Sequence, residues 1–345
     1  MKALVVVDAD VLGRERTGDE TYVANLLREL PGAAPELRLA AVTRHPELIP
    51  KEVEALELPA RSQELRMAWS LSRLLRRLRP AVAHFQHALP LRCPCPSVVT
   101  VHDLSFERDP SLLGLKDRFI FRTVVPRAAR RAARLIAVSE RTKADLVELY
   151  GVPEDKVTVT HHGIDPAFTP GGRPDSYVLF VGSIQSRKNP LAAVEAASAV
   201  GLRLVVAGPV RERSLARELE RRGADLRGYL DKPALAQLYR SAACLVLPSR
   251  YEGFGLPVLE AMACGTPVVA AREPALEEVG GDAALYADPA LLADAVRQAI
   301  HERERLAAAG IERARTFSWA ETARRTAAVY REVLGASNRF GEGRA

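Results

Sequence analysis

Ser249-Arg-Tyr-Glu-Gly-Phe-Gly-Leu-Pro-Val-Leu-Glu-Ala-Met-Ala-Cys-Gly-Thr-Pro-Val-Val-Ala270 carries the pattern that decides the fold. The apolar run Cys244–Leu247 just before it reads as a buried strand. A glycine-containing loop follows. The spacing then predicts a helix starting near Leu256, with Pro257 in the first turn, where its missing N–H costs nothing. Pro267–Ala270 is the next strand. Strand, loop, helix and strand in this order make one unit of a parallel sheet. A loop running into a helix N-terminus offers free N–H groups and positive dipole, a seat for a phosphate or a sugar oxygen. Glu252 lies in that loop and Glu260 about one turn into the helix. Carboxylates beside an anion site repel phosphate, so hydroxyl groups are their expected partners; alternatively Glu260 only complements the helix dipole.

The same alternation extends in both directions. Tyr177–Val181, Arg203–Ala207 and a short segment near Leu226 read as strands. Asn189–Ala199, Arg213–Arg222, Pro233–Ala242 and Pro289–Glu302 read as helices, several with Pro at the first helical position. In the N-terminal half, Leu4–Asp8, Leu39–Thr43, Ala81–Phe85, Ser97–His102, Leu135–Val138 and Val157–Thr160 read as strands. Thr21–Leu30 and Arg66–Arg79 have helical spacing, and Ser139 is placed to N-cap a helix reaching Tyr150. The proline- and glycine-rich stretch from His162 to Asp175 reads as a linker. The expectation is an α/β protein of two doubly wound, Rossmann-like domains facing each other across a cleft, with ligands outside the carboxyl ends of the strands.

Composition excludes several classes. At 345 residues, 48% hydrophobic and 27% charged, the chain has ample core for two domains and is neither disordered, collagenous nor coiled coil. No apolar run is long enough to span a membrane. Asp8 interrupts the short N-terminal apolar run, so no export signal is expected and the localisation expected is cytoplasmic. Four cysteines without metal-ligand spacing read as reduced thiols, Cys93 and Cys95 being poorly placed for a mutual disulfide. The net charge is +6, and residues 61–141 hold sixteen Lys or Arg against six Asp or Glu. That excess favours an anionic partner for the N-terminal half. Lys116–Arg134, with Phe119, Ile120, Phe121, Val124 and Val125 among its basic residues, points to reversible docking on the anionic inner face of a cell membrane. The competing reading is an ordinary solvated surface.

Arg187-Lys188 follows a strand ending at Gly182 and precedes Asn189-Pro190, which read as an N-cap and a Pro at N1. Two cations beside a helix N-terminus suit a diphosphate. His102 stands at the carboxyl end of a strand, followed by Asp103. Asp8-Ala-Asp10 is formally D-x-D, and His84-Phe-Gln-His87 pairs two histidines without a helical spacing or third ligand. Neither reads as a metal site, and no metal is expected, although Asp8 and the two histidines can line an acceptor side.

The run Glu252-Gly-Phe-Gly-Leu-Pro-Val-Leu-Glu260 resembles the E-x7-E signature of the retaining glycosyltransferases of family 4 (group 1), which have the GT-B fold. Val138-Ser-Glu, Val159-Thr-His-His-Gly-Ile-Asp165, Leu179-Phe-Val-Gly-Ser-Ile-Gln-Ser-Arg-Lys-Asn189, Val205-Val-Ala-Gly208, Gly228-Tyr-Leu230 and Phe317-Ser-Trp319 fall in family order, so the resemblance covers nearly the whole chain. It implies a transferase moving a sugar from a nucleoside-diphosphate sugar, with no cofactor and no nucleic acid partner. Val101-His-Asp-Leu and Gly182-Ser-Ile-Gln-Ser-Arg-Lys-Asn are similar to mannosyltransferase-like members of polysaccharide pathways, which makes GDP-mannose the first donor and a glycan or lipid-linked molecule the acceptor. UDP-glucose and UDP-GlcNAc come second.

The resemblance also implies roles. Glu252 contacts the donor sugar, the amides of Gly253, Phe254, Gly255 and Leu256 hold sugar and phosphate, and Glu260 binds the ribose. Arg187 and Lys188 neutralise the diphosphate beside Gly182, Tyr229 and Leu230 lie where the base is read, and His102 approaches the sugar. Gly18 matches the first glycine-rich loop, whose usual second glycine is replaced by Glu20. Ser183 stands where many members carry Arg, which shifts the phosphate charge onto Arg187 and Lys188. The expected layout is an N-terminal acceptor-binding domain at 1–165, a nucleotide-sugar-binding domain at 175–316, and a helix at 317–334 that crosses back to the first domain. The alternatives are a catalytically silent nucleotide-sugar binder and another GT-B enzyme such as a nucleotide-sugar epimerase.

Overall fold

A computed structural model describes residues 2–14, 17–59, 62–108, 115–172 and 177–341, with side chains at all of these except 17, 115–120 and 337–341. Two compact units emerge: Met1–Gly163 together with Trp319–Ala345, and Ile164–Ser318.

The first unit holds seven parallel strands: β1 (Leu4–Asp8), β2 (Arg38–Thr43), β3 (Glu54–Glu57), β4 (Val82–Gln86), β5 (Ser97–Val101), β6 (Arg134–Ala137) and β7 (Val157–Val159). Their order is β3-β2-β1-β4-β5-β6-β7, so the sheet reverses direction between β1 and β4. Alternation along β1 explains the two cores. Val5 and Val7 face the helix Thr17–Ala33 and the helix Trp319–Gly341, while Val6 faces Leu71, Phe85 and Leu146 on the other side. β5 is buried along its whole length, as a strand covered on both faces must be.

The second unit holds six parallel strands: β8 (Tyr177–Val181), β9 (Arg203–Ala207), β10 (Asp225–Gly228), β11 (Cys244–Leu247), β12 (Val268–Ala270) and β13 (Leu285–Tyr286), in the order β10-β9-β8-β11-β12-β13. The order of strand addition switches sides between β8 and β11, which run parallel. Here too such a switch point opens a crevice at the strand ends.

Several elements differ from the sequence expectation. The helix expected over Thr21–Leu30 runs Thr17–Ala33. The segment expected as one helix over Arg66–Arg79 has a π turn, Arg66–Ser70, before the regular helix Leu71–Leu78. That turn accommodates Arg66, whose side chain is fully buried against Asp8. β3, β13 and the helix Arg303–Ala314 are additional. β3 is largely exposed (Glu-Ala-Leu-Glu), and β13 has two residues, so neither carries the apolar signature of a central strand. Ser139 does cap the helix Glu140–Tyr150, accepting from the Thr142 N–H at 3.0 Å. Of the stretch read as a linker, residues 164–172 belong to the second unit: Phe168 is buried, and Arg240 donates to the Ala167 and Thr169 carbonyls. All four cysteines are free. No helix among the described residues is long and apolar enough to cross a membrane.

The helix Trp319–Gly341 belongs to the first unit and packs along the helix Thr17–Ala33. It is joined to the sheet by a buried polar chain. The Tyr330 hydroxyl lies 2.6 Å from His84 Nδ1, and His84 Nε2 lies 2.7 Å from the Thr100 hydroxyl. Tyr22 closes the chain 3.0 Å from the same hydroxyl. His84 is therefore a core histidine rather than a residue lining an acceptor site. Burial, reinforced by His102, pushes its pKa down to about 3, so it is neutral at physiological pH.

Candidate active site

In the second unit the candidate residues gather where β8 and β11 end. After β8 the chain passes Gly182, whose φ of +152° suits only glycine, and reaches a 3₁₀ turn, Ser186–Lys188. Gly208 lies so close that a Cβ there would be 2.1 Å from the Gly182 carbonyl oxygen. The Ser186 N–H donates to Glu212 at 2.7 Å and pins the turn. After β11, the loop Pro248–Gly255 leads into the helix Leu256–Ala263, with Gly255 at φ +114° as its N-cap. A Cβ on Gly255 would also come within 2.9 Å of Leu276.

The two loops interlock through charge. Lys188 Nζ donates to both oxygens of Glu252 at 2.5 and 2.6 Å, and Arg187 Nη1 lies 3.7 Å from the same carboxylate. Arg187 also donates to the Tyr251 carbonyl, and its own carbonyl accepts from the Arg250 N–H at 2.9 Å. All three charged side chains are buried. Burial pushes the Glu252 carboxyl up, but Lys188 and Arg187 outweigh it and hold the group below the ordinary carboxylate range. Two cations against one anion leave a buried excess of positive charge, and Arg187 Nε has no hydrogen-bond partner. Such a site is preset for an anion.

Asn189 departs from the expectation. It adopts a left-handed conformation, φ +52°, and its side chain does not cap the helix Pro190–Ala199 that follows.

Glu260 stands one turn into the helix Leu256–Ala263 and accepts from the Tyr239 hydroxyl at 2.8 Å. Burial pushes its pKa up to about 7, against the lowering effects of Tyr239 and Lys232. Tyr239 was not legible as a site residue, because its own segment reads as an amphipathic helix and nothing in sequence links it to Glu260. Tyr229 is exposed and Leu230 half-buried at the carboxyl end of β10, just before Asp231 caps the helix Lys232–Ser241.

In the first unit, His102 follows β5. Its Nε2 lies 2.9 Å from Gln86 Oε1, at the end of β4. Tyr22 meets its ring edge-on at 4.9 Å, and His162 stacks at 5.7 Å. Burial pushes the His102 pKa down to about 4; Asp19 works against this and His87 adds to it. Gly18 lies in the first turn of the helix Thr17–Ala33, beside Asp19. Glu20, in place of a second glycine, turns back to accept the Gly13 N–H at 2.7 Å, which removes it as a free carboxylate facing a ligand.

Asp8 and Asp10 are held by arginines. Arg66 binds Asp8 through both terminal nitrogens, and Arg44 donates to Asp10 at 2.8 and 3.0 Å, joined by Arg14. The D-x-D pair is thus consumed by ion pairs. Asp19, His87 and His102, distant in sequence and not grouped by any spacing in it, bring their ligating atoms within 4.8 Å of one another.

Residues 16–168 match the profile described as Glycosyltransferase Family 4, and residues 175–302 the one described as Glycosyl transferases group 1. Over 281 residues the chain is 33% identical to D-inositol 3-phosphate glycosyltransferase 1 of Catenulispora acidiphila, an overlap of 69% of this chain and 67% of that protein. The chain belongs to glycosyltransferase family 4. O-antigen chain mannosyltransferase B of Escherichia coli, a second relative, is 29% identical over 267 residues, covering 68% of this chain and 70% of that one. Sucrose-phosphate synthase of Thermosynechococcus elongatus shares the architecture at a TM-score of 0.77 and 20% identity, over 97% of this chain and 100% of that one. The fold of this family 4 glycosyltransferase is GT-B.

Proposed function

We propose that this glycosyltransferase moves a sugar from a nucleoside-diphosphate sugar to a glycan or lipid-linked acceptor with retention of configuration. The observation that carries this reading is the buried Arg187–Lys188–Glu252 cluster beside the N-terminus of the helix Leu256–Ala263. The diphosphate takes the two cations and the backbone amides of Gly253–Leu256 at the helix N-terminus. These charges stabilise the leaving group as the glycosidic bond breaks, the work a metal ion does in other transferases, so no metal is required. Glu252, released from Lys188, accepts sugar hydroxyls, and Glu260 accepts those of the ribose. Tyr229 and Leu230 read the base. His102 is the candidate catalytic group of the first unit. With Glu252 given to the sugar hydroxyls and Glu260 to the ribose, neither carboxylate of the second-unit cluster is assigned as a nucleophile, which favours same-face attack through an oxocarbenium-like transition state.

GDP-mannose is the first donor proposed, in keeping with the mannosyltransferase relative, and UDP-glucose or UDP-GlcNAc the second. A thermal-shift panel of nucleotide sugars, followed by incubation with the best binder, tests the reading. Slow release of free nucleotide and an α-linked product from an α-linked donor support it. Tight binding without turnover, even with acceptor extracts, favours the silent binder instead.

Peripheral association with an anionic membrane is part of the proposal. Trp69 is 74% exposed, with Leu65 and Leu91 exposed nearby on the first unit. Leu91 is tied to this segment by its N–H to the Met67 carbonyl. Arg73, Arg77 and Arg92 supply surrounding positive charge. In the basic stretch 116–134, the side chains of 115–120 lie outside the described residues, Phe119 and Ile120 among them.

A further inference from the structure

The first unit brings together three residues of which the transferase reading uses only His102. Asp19 sits in the first turn of the helix Thr17–Ala33, His87 just past β4, and His102 just past β5. Asp19 Oδ2 lies 3.8 Å from His87 Nε2, and Asp19 Oδ1 lies 3.8 Å from His102 Nδ1. Both separations are too long for hydrogen bonds. They are close to the spacing between two ligands of one cation: bonds of about 2.0–2.2 Å in tetrahedral geometry put ligand atoms about 3.3–3.6 Å apart, and all three ligating atoms lie within 4.8 Å of one another. A small inward shift of each side chain therefore closes the cluster on an ion.

Three further observations point the same way. His102 Nε2 is engaged by Gln86 Oε1 at 2.9 Å, which places the proton of the neutral ring on Nε2 and leaves the lone pair on Nδ1, toward Asp19. Metal-bound histidines are oriented by this kind of contact on the opposite nitrogen. His102 Nδ1 itself is buried without a hydrogen-bond partner, an orphan that a cation would satisfy. His87, in turn, is held in the left-handed region at φ +57°, rare for a non-glycine residue, by its N–H bond to the Thr100 carbonyl at 2.8 Å.

We infer that Asp19, His87 and His102 form a binding site for a divalent first-row metal ion of the Zn²⁺ class, with one coordination position left open. Two imidazoles and a carboxylate suit Zn²⁺ and not the oxygen-seeking Mg²⁺ or Ca²⁺. The positive end of the helix Thr17–Ala33 opposes the ion, so binding is reversible rather than structural. Occupancy takes the free nitrogen of His102. Resting on the proposed function, in which His102 is a catalytic group, the ion acts as an inhibitor and not as a cofactor.

The test is titration of the full-length protein with Zn²⁺ in competition with a chromophoric chelator, and with Co²⁺ followed by its visible absorption. One ion per chain is expected, with affinity reduced at least about tenfold in Asp19→Asn and His87→Ala, and unchanged in His301→Ala. His87→Gln, which keeps the side-chain bulk, serves if the alanine variant fails to melt cooperatively. Absence of Zn²⁺ binding, or binding unchanged in both ligand variants, overturns the site. Nucleotide release assayed with added Zn²⁺ separates the second claim: inhibition of the parent but not of His87→Ala supports it. Stoichiometric binding without inhibition overturns the inhibitory role and leaves the site standing.

Discussion

Glu252→Gln tests the charge balance of the second unit, and the expected result is a gain. In the unliganded protein Glu252 occupies both cations, with Lys188 at 2.5 and 2.6 Å and Arg187 at 3.7 Å. Opposite unit charges at that last separation attract by about 4.5 kcal/mol at an effective dielectric of about 20. A diphosphate arriving at Arg187 and Lys188 must share them with the carboxylate and bear its repulsion. Much of the attraction is retained, because the cations stay close to Glu252, so the net handicap is set at about 1.5 kcal/mol, the net worth of a charge-assisted hydrogen bond. Removing the negative charge while keeping the side-chain shape should therefore tighten binding of free GDP or UDP about tenfold. Sugar transfer should be lost in the same variant, because Glu252 is the proposed acceptor of sugar hydroxyls. Calorimetric titration of both nucleotides at low and moderate salt measures the effect, with a melting curve to show that the variant is folded. Unchanged or weaker nucleotide binding in a folded variant would refute the competition argument.

Lys188→Ala should do the opposite, weakening nucleoside-diphosphate binding by about 1.5–3 kcal/mol and lowering stability, since Glu252 is left buried without its closest partner. Glu260, raised to about 7, is protonated below that pH, so nucleoside affinity should fall between pH 8 and pH 6. Tyr239→Phe, by removing the bond that lowers this pKa, should move the midpoint upward in a pH series of nucleoside titrations. Activity should survive EDTA, and loss on chelation restored by Mg²⁺ or Mn²⁺ would contradict the protein-cation mechanism. His84, pushed down to about 3, binds its proton more readily unfolded than folded. Its contribution is complete above the unfolded pKa of about 6.5 and falls by about 2 kcal/mol by pH 5, as urea melts across that range would show. Flotation with liposomes of rising anionic content tests membrane docking: binding should appear at low salt and fade at high salt, and Trp69→Ser should weaken it.

The alternation of apolar strands and helical segments made the α/β architecture readable, because strands buried on both faces, such as β5 and β8, are continuous apolar runs. The loop from Ser249 to Gly255 and its helix were equally readable, since glycine and proline fix their boundaries. β3 was not, since an exposed Glu-Ala-Leu-Glu has no core-facing signature. Nor was the conformation of Asn189, where a helix-start pair stands but the preceding turn decides the backbone. Candidate residues were visible one by one, whereas their pairings were not. Arg187 and Lys188 read as phosphate ligands and turn out to be paired with Glu252, which lies 64 residues beyond Lys188. Asp19, His87 and His102 meet only because the sheet reverses between β1 and β4, bringing the ends of β4 and β5 beside the first helix.

The helix Trp319–Gly341 completes a unit whose sheet is encoded entirely before residue 164. During synthesis on the ribosome, the second unit leaves the exit tunnel as one uninterrupted segment and can fold at once. The first must wait. Until Trp319, Ala323, Ala327 and Tyr330 emerge, the apolar faces of Val5, Tyr22 and Leu26 lack part of their cover, and His84 lacks its tyrosine. Translation order therefore opposes chain order, with the N-terminal sheet maturing last. A fragment ending at residue 165 should be prone to aggregation, and supplying residues 319–341 as a separate peptide should rescue it.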